Sequence, residues 1–481
     1  MAKHWGDFQY EIYLNGMTGA VPRLPTDLTR LEELAEHRLG PGPVGYVAGC
    51  AGDGSTARAN RAALARRRIV PRMLRDVHER DLTVEVLGRV LPAPLALAPV
   101  GVLSIMHPGA EPAAARAAAA QGVPYILSSA SSTPMEQVAE AMGDAERWFQ
   151  LYWGKDREVT RSFLARARAA GFSVLVVTLD TPLLSWRPRD LDQAYLPFLH
   201  GVGTANYFTD PAFQSGLAKP VQEDPNAAVL HFLGLFGDAG HTWPDLAFLR
   251  EHWDGPIVLK GVLHPDDARL AADAGVDGVV VSNHGGRQVA GSVAAADALP
   301  RVADAVGDRL AVLFDSGVRT GDDAFKALAL GARAVLLGRP YVYGLGLDGQ
   351  AGVEHVIRSL LAELDLTLAL RPRDPAHRHR VRPPRSRRLT RRRPRAAVHG
   401  GRPAARPGGG RRAAMCGAAP DAAGRAAGPA VAGAQRGRSR SGTRRRGGSR
   451  GEGLRQGPSP PAIRQAGPRG RGGLAPLPDP A

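Results

Sequence analysis

Eight short apolar runs along the first 340 residues constrain the fold of this chain more than any other feature of its sequence. Most are followed by an Ala/Arg-rich stretch with helical spacing and a suitable N-cap, as at 112–121, 157–170, 265–274 and 320–330. Buried strands that alternate with helices predict a parallel sheet, and a count of eight predicts closure into a barrel. The runs lie at 95–100, 125–129, 147–152, 174–180, 256–262, 278–284, 310–317 and 334–340.

The structural alternative is an open, doubly wound sheet, which also alternates strands and helices. Dinucleotide-binding members of that class carry a Gly-x-Gly-x-x-Gly turn after the first strand. No such turn follows the run at 95–100. The favoured fold class is therefore α/β, a (β/α)8 TIM barrel.

Charge divides the chain at about residue 370. The 481 residues carry a formal net charge of +16, but residues 371–481 hold 28 Arg, no Lys and four acids, so residues 1–370 are mildly acidic. The segment 371–481 is rich in Arg, Pro, Gly and Ala, and it has too little apolar surface to offset the entropy cost of ordering. We expect a barrel domain at 1–370 and a disordered tail at 371–481.

Three interpretations of the tail compete. It is a basic arm for RNA or another polyanion, a solvated linker, or GC-rich codons read out of frame. The absence of Lys beside 28 Arg favours the frameshift. Nucleic-acid binding through the tail stays as the alternative function of another class, with steep salt dependence as its signature.

Cysteine content and hydropathy bear on the compartment. Cys50 and Cys416 are too few for a disulfide framework and lack metal-type spacing, so we expect a reducing environment and no metal site. The N-terminal residues are polar, and no apolar run reaches the roughly 18 residues that a membrane span needs. These features predict a cytoplasmic protein.

Polar residues follow nearly every apolar run. In a barrel they would lie at the carboxyl ends of the strands, where active sites of this fold are found. Any one of them alone is weak evidence for function, whereas the ordered set is specific. The segments are Gln150-Leu151-Tyr152, Thr178-Leu179-Asp180, Lys260-Gly261, 282–287, 315–319 and Gly338-Arg339.

From about Tyr46 to Leu370 the sequence resembles the FMN-dependent α-hydroxy-acid oxidase and dehydrogenase family. The most diagnostic segment is Ser-Asn-His-Gly-Gly-Arg-Gln at 282–288. The resemblance implies FMN as cofactor, a small L-2-hydroxy acid and O2 as substrates, and a homo-oligomer (tetramer or octamer). Family members continue past Leu370 with a segment that contributes to subunit contacts. Because Arg371-Pro372-Arg373 follows here, we expect a compromised oligomer.

The resemblance assigns roles around the substrate. His284 would be the catalytic base, and a neutral imidazole suits that role because its pKa lies near working pH. It would take either the hydroxyl proton or the α-proton. Arg187 and Arg287 would clamp the carboxylate through bidentate contacts, with Arg189 as the alternative to Arg187.

The resemblance also assigns two phenols to the substrate and a set of residues to FMN. Tyr46 and Tyr152 would bind the carboxylate and the reacting hydroxyl. Residues near the isoalloxazine ring would be Pro99, Val100, Gly101, Ser128, Gln150, Thr178 and Lys260. Residues towards the ribityl chain and the phosphate would be Ser282, Asp315, Ser316, Gly317, Arg319, Gly338 and Arg339. Glycine backbone and guanidinium charge at the last two strand ends suit a single phosphate.

Three small residues and one long insertion point to a branch of the family. Val47, Gly101 and Ala130, together with the segment 190–243, resemble lactate 2-monooxygenase. We expect this insertion to be a structureless lid after the fourth strand. Slow release of pyruvate would let O2 convert it to acetate, CO2 and water. The alternatives are a peroxide-forming oxidase and a quinone- or cytochrome-linked dehydrogenase. Another FMN barrel, such as type 2 isopentenyl-diphosphate isomerase, would not need paired arginines beside His284.

Overall fold

A closed parallel barrel forms the centre of the molecule. The computed structural model describes residues 4–74 and 76–369. The strands in these ranges are β1 (Val84–Val86), β2 (Arg89–Leu91), β3 (Leu95–Leu97), β4 (Tyr125–Ser128), β5 (Arg147–Tyr152), β6 (Val174–Thr178), β7 (Ile257–Lys260), β8 (Gly278–Val281), β9 (Ala311–Phe314) and β10 (Ala334–Leu337). Eight of them, β3 to β10, close in the order β10-β3-β4-β5-β6-β7-β8-β9, which confirms the predicted fold class.

Helices surround the barrel and complete its outer core. The helices of residues 4–74 and 76–369 are α1 (Phe8–Gly16), α2 (Leu31–Arg38), α3 (Pro41–Ala48), α4 (Ser55–Arg66), α5 (Ala110–Ala120), α6 (Met135–Met142), α7 (Arg157–Ala169), α8 (Pro188–Leu191), α9 (Ala205–Phe208), α10 (Pro211–Ser215), α11 (Pro225–Leu235), α12 (Leu246–His252), α13 (Pro265–Asp273), α14 (Ala295–Val306), α15 (Gly321–Ala329) and α16 (Arg339–Ala369). Eight of them follow the barrel strands one by one in the usual βα alternation, and α12 does so after a long insertion. These eight are α5, α6, α7, α12, α13, α14, α15 and α16.

Alternation along the strands creates an apolar barrel interior with a polar layer at one end. Trp148, Val176 and Val258 belong to the interior core, which Val86 and Leu91 of the β1–β2 hairpin join. Because side chains repeat every two residues along a strand, the next inward position on each strand lies closer to its carboxyl end. Those positions hold Ser128, Gln150, Thr178, Lys260, Ser282 and Asp315.

Seven of the eight barrel strands end earlier than the sequence runs suggest, whereas β5 ends where its run ends. The run at 310–317 becomes a strand over Ala311–Phe314 only, and Ser316 and Gly317 follow with φ of 80° and 104°. His284, in the loop after β8, has a φ of 57°. A non-glycine residue in this region is uncommon, and such residues cluster at functional sites. The last polar residues of these runs therefore belong to loops.

The insertion after the fourth barrel strand, β6, is not the structureless loop that the sequence suggested. It contains α8 to α11 and short 3-10 turns at Pro197–His200 and Trp243–Asp245. Buried Asp210 caps α10 and accepts from Ser162 Oγ (2.7 Å) and Arg166 Nη1 (3.0 Å) of α7. Asn206 Nδ2 donates to Ser129 O over 3.2 Å, at the end of β4. These bonds fix the insertion to the barrel.

Three further expectations concern membrane spans, metal sites and the segment 371–481. No helix of residues 4–74 and 76–369 is long and apolar enough to cross a membrane. In the same ranges, no group of three or more His, Cys, Asp or Glu side chains is placed to hold a metal ion. The expectations for 371–481, a disordered tail, a frameshift or a nucleic-acid arm, lie outside the described residues.

Candidate active site

A cavity of about 270 Å³ lies at the carboxyl ends of the barrel strands. Fifteen of the nineteen predicted site residues line it. The other four, Ser128, Gln150, Thr178 and Ser282, are buried and bond to one another or to lining residues. Ligand sites in this fold occur at the same end of the barrel, so the cavity is the candidate active site.

His284 and Asp180 form a hydrogen-bonded pair in the cavity wall. His284 Nδ1 lies 2.8 Å from Asp180 Oδ1. Burial opposes ionisation of Asp180, but His284 and Lys260 hold the pKa of that carboxyl below its ordinary value. Burial also lowers the pKa of His284, partly offset by Asp180. With Nδ1–H donated to a carboxylate, the other ring nitrogen, Nε2, is left as a proton acceptor.

Lys260 carries a buried positive charge between two carboxylates. Its ammonium donates to Ser282 Oγ over 3.2 Å and lies 3.5 Å from Asp315 Oδ2. Burial opposes the charge, but Asp315 and Asp180 outweigh it and raise the pKa of Lys260 above its ordinary value. Lys260 is therefore a fixed cation in the floor of the cavity.

A chain of hydrogen bonds lies behind the floor. Ser128 Oγ donates to Gln150 Oε1 (2.8 Å), and Gln150 Nε2 donates to Thr178 Oγ1 (2.9 Å). These three residues are on β4, β5 and β6, whose parallel register places Ser128 opposite Gln150 and Thr178 opposite Lys260. The chain fixes their polar groups beside the cavity without exposing them to it.

Arg287 occupies the end of helix α3. Its Nη1 donates to the carbonyls of Tyr46 (2.6 Å), Val47 (3.2 Å) and Gly49 (2.7 Å). The guanidinium also lies over the Tyr46 ring, 5.1 Å from its centroid. Burial, with repulsion from Arg187, lowers the pKa of Arg287 to about 10.

Arg187 lines the same cavity, whereas Arg189 faces away from it. Arg187 Nε donates to Ser185 Oγ (2.8 Å), and its Nη2 donates to Gln288 Oε1 (2.8 Å). Arg189 Nη2 instead pairs with Glu36 at the surface (3.0 Å). Of the two arginines that the sequence left open, the structure places Arg187 in the cavity.

Tyr152 is stacked beside His284. The two ring centroids are 6.5 Å apart with an interplanar angle of 23°. Burial raises the pKa of Tyr152 to about 12, so its phenol stays protonated and remains a hydrogen-bond donor. Tyr152, Arg187 and Arg287 line the same cavity as His284, and their donor groups suit an anionic ligand.

A second part of the cavity lining combines glycine backbone with two guanidiniums. Gly317 and Gly338 line it beside Arg319 and Arg339. Arg339 Nη1 donates to Gly285 O (2.9 Å), and its Nε donates to Val47 O (3.0 Å). Burial, with repulsion from Arg339, lowers the pKa of Arg319.

This donor set fits FMN. Four arginines and Lys260 line the cavity, whereas Asp315 is the acidic residue among the described lining residues. Burial, with repulsion from neighbouring arginines, lowers the pKa of both Arg287 and Arg319. Cations that are buried together with few counter-charges favour an anionic occupant. A phosphate suits the Gly317 and Arg319 end, and a polar ring edge suits Lys260.

The fold and the site define a flavin-dependent oxidoreductase of the (β/α)8 class, and the comparisons with known proteins agree. The family described as FMN-dependent dehydrogenase matches residues 35–372. This chain belongs to that family, and FMN is its cofactor.

Individual relatives show which members of the family this chain is similar to. An FMN-dependent alpha-hydroxy acid dehydrogenase of Schizosaccharomyces pombe is 47% identical over 77% of this chain and 93% of its own length. An L-lactate oxidase of Lysinibacillus sphaericus is 41% identical over 75% of this chain and 92% of its own. A crystal structure of mandelate oxidase with (S)-4-hydroxymandelic acid has a TM-score of 0.65 and 38% sequence identity. The match covers 72% of this chain and 95% of that chain. The chain is an FMN-dependent α-hydroxy-acid oxidoreductase.

The relatives correct one expectation about the branch. The relatives named above are oxidases and a dehydrogenase. They therefore favour the alternative, an oxidase or dehydrogenase, over the lactate 2-monooxygenase that the sequence suggested. Sequence reasoning also missed two partners in the site. Asp180 follows an apolar run and Gln288 ends the diagnostic segment, but neither position by itself predicts a role. Their contacts join residues about a hundred positions apart, which spacing alone does not reveal.

Proposed function

We propose that this protein oxidises an L-2-hydroxy acid to the 2-oxo acid and passes the electrons to O2 or to another acceptor. The observation that carries the proposal is the His284–Asp180 pair in a cavity that Arg187 and Arg287 also line. A carboxylate held by the two guanidiniums brings the adjacent hydroxyl carbon towards the imidazole. The mandelate and lactate in the names of the relatives are both 2-hydroxy acids.

Each residue has a separate task in this proposal. The substrate loses two electrons and two hydrogens, and one hydrogen leaves as a proton to His284 Nε2. Asp180 keeps the imidazole in the accepting tautomer and stabilises the imidazolium that forms. The protonated phenol of Tyr152 donates to the reacting oxygen. The two electrons and the second hydrogen would go to bound FMN, which supplies the oxidant.

FMN binding is proposed along the floor of the cavity. Lys260 would lie at the electron-rich edge of the ring, with Gln150 and Thr178 behind it. Asp315 would accept from ribityl hydroxyls, and Arg319 and Arg339 would bind the phosphate with the amides near Gly317 and Gly338. The loop at Pro99, Val100 and Gly101, which lines the cavity, would cover the opposite side.

The proposal is tested by anaerobic addition of L-lactate and L-2-hydroxybutanoate to the FMN-loaded protein. We expect loss of the flavin absorbance with the wild-type protein. With His284→Gln, the rate should fall by about two to four orders of magnitude while FMN remains bound. If the flavin absorbance stays unchanged with every 2-hydroxy acid, the proposal is wrong.

Product analysis in air separates the branches. Pyruvate with hydrogen peroxide from L-lactate identifies an oxidase, and acetate without peroxide identifies the monooxygenase. Pyruvate formed only with an added quinone or cytochrome identifies a dehydrogenase. We propose the oxidase or dehydrogenase outcome, because the named relatives are of these two kinds.

A further inference from the structure

One wall of the cavity is entirely apolar. The residues that the insertion contributes to the described lining are Leu196, Phe198, Leu233 and Phe236. Leu184, in the loop that leads into the insertion, lines the cavity as well. We call these five residues the apolar wall. The charged lining residues come instead from the barrel strand ends, their loops and Arg187.

The apolar wall begins next to the proposed reacting centre. The ring of Phe236 is 5.1 Å from that of Tyr152, which is stacked beside His284. Phe198 follows at 5.5 Å from Phe236. A substrate whose hydroxyl carbon faces His284 therefore directs its side chain towards these rings.

Packing fixes the position of Phe198 in the wall. Phe198 rests on the fully buried Phe232, with 5.5 Å between ring centroids. The turn at Gly203 is pressed against the barrel so closely that an added Cβ would lie 2.4 Å from Val102 Cγ1 and 2.9 Å from Phe198 Cε1. A wall held in this way presents a preformed apolar subsite, which a single methyl group would leave mostly unfilled.

We infer that the cavity selects L-2-hydroxy acids whose side chain is apolar and larger than the methyl group of lactate. This inference rests on the proposed function and names its substrate class. Apolar substituents gain free energy by leaving water for this wall. A charged side chain finds no partner on it and would be buried unpaired, which is costly.

A homologous series of substrates tests the inference on the FMN-loaded full-length protein. From L-lactate through L-2-hydroxybutanoate to L-2-hydroxyhexanoate, we expect kcat/KM to rise roughly fourfold per methylene until the subsite is full. L-Malate, which adds a carboxylate instead, should fall below L-lactate. A kcat/KM that stays constant or falls from L-lactate to L-2-hydroxyhexanoate would overturn the inference.

Two leucines of helix α11 supply a matched pair of variants. Leu233 lines the cavity, whereas Leu230 on the same helix is 67% exposed and does not. Leu233→Ala should lower the hexanoate-to-lactate ratio of kcat/KM about tenfold, and Phe236→Leu should lower it in the same direction. Leu230→Ala should leave the ratio unchanged. An unchanged ratio in Leu233→Ala and Phe236→Leu would overturn the inference.

The failure of this inference is distinguishable from failure of the proposed function. If no 2-hydroxy acid bleaches the flavin, the proposed function fails. If L-lactate bleaches it and longer acids do so less well, the proposed function stands and the selectivity inferred from the wall is wrong.

Discussion

Nδ1 of His284 and Oδ1 of Asp180, 104 positions apart in the sequence, lie 2.8 Å from each other at the carboxyl ends of β8 and β6. The bond joins a loop residue in a left-handed conformation to a carboxylate that follows a strand. Because the barrel brings both strand ends to one rim, the pair needs no flexible segment to assemble it.

Replacing Asp180 with Asn should lower kcat/KM by about two to four orders of magnitude, because the amide leaves the imidazole in the wrong tautomer. Asp180 also raises the pKa of His284 against the effect of burial. Its loss should therefore move the acid limb of the pH profile, where neutral His284 becomes protonated, to lower pH. Profiles of kcat/KM against pH for the two proteins check both points.

Asp192→Asn is the control for Asp180→Asn, since Asp192 is an exposed carboxylate of the same loop region. It should leave the rate and the pH profile as they are. An acid limb that moves to higher pH in Asp180→Asn would contradict the assigned role of Asp180.

Arg187→Lys should raise KM for 2-hydroxy acids about ten- to a hundredfold, because an ammonium cannot reproduce the forked contact with a carboxylate. Arg189→Lys is the matched control two residues away, and its partner is Glu36 at the surface. Steady-state kinetics on both variants tests the assignment. Equal effects of the two substitutions would be inconsistent with it.

Because Asp210 anchors the insertion to the barrel, removing the cap of α10 should destabilise the protein more than removing the cap of α11. Asp210→Ala removes the cap of α10 and leaves Arg166 without its buried partner, so the free energy of unfolding should fall by about 3 kcal/mol. Asp224→Ala removes the exposed cap of α11 and should cost only about 1 kcal/mol. Urea denaturation of both variants measures the difference, and a larger loss in Asp224→Ala would refute the anchoring role.

Deleting residues 371–481 should leave FMN affinity unchanged within about twofold, a change of about 0.4 kcal/mol in binding free energy. The reason is that the residues assigned to FMN, the last of which is Arg339, all lie in the barrel domain at 1–370. Flavin fluorescence quenching by the full chain and by residues 1–370 compares the two affinities. A loss of FMN binding on deletion would show that the proposed domain boundary at 370 is misplaced.

Much of this architecture follows from the sequence, for a physical reason. Buried parallel strands need continuous apolar runs, so the run at 174–180 predicts β6 (Val174–Thr178) from its first residue. The short helices of the insertion were not predicted, because four or five residues, as in α9 and α10, are too few to display helical periodicity.

The site likewise contains residues that the sequence predicts and contacts that it does not. Gly317 and His284 follow apolar runs and are visible as strand-end residues. The donation by Gln288 Nε2 to the carbonyl of Asp180 (2.7 Å) depends on how two loops meet in space. Neither composition nor spacing encodes such a meeting, and the apolar wall was missed for the same reason.

Arg287 and Arg339 donate to the same two carbonyls, those of Val47 and Gly49 at the end of α3. One arginine lies where a substrate carboxylate is proposed and the other where a phosphate is proposed. If an anion draws either guanidinium towards itself, the shared carbonyls remain to the other. We therefore expect the affinities for cofactor and substrate to be linked through this helix terminus, and such linkage acts equally in both directions.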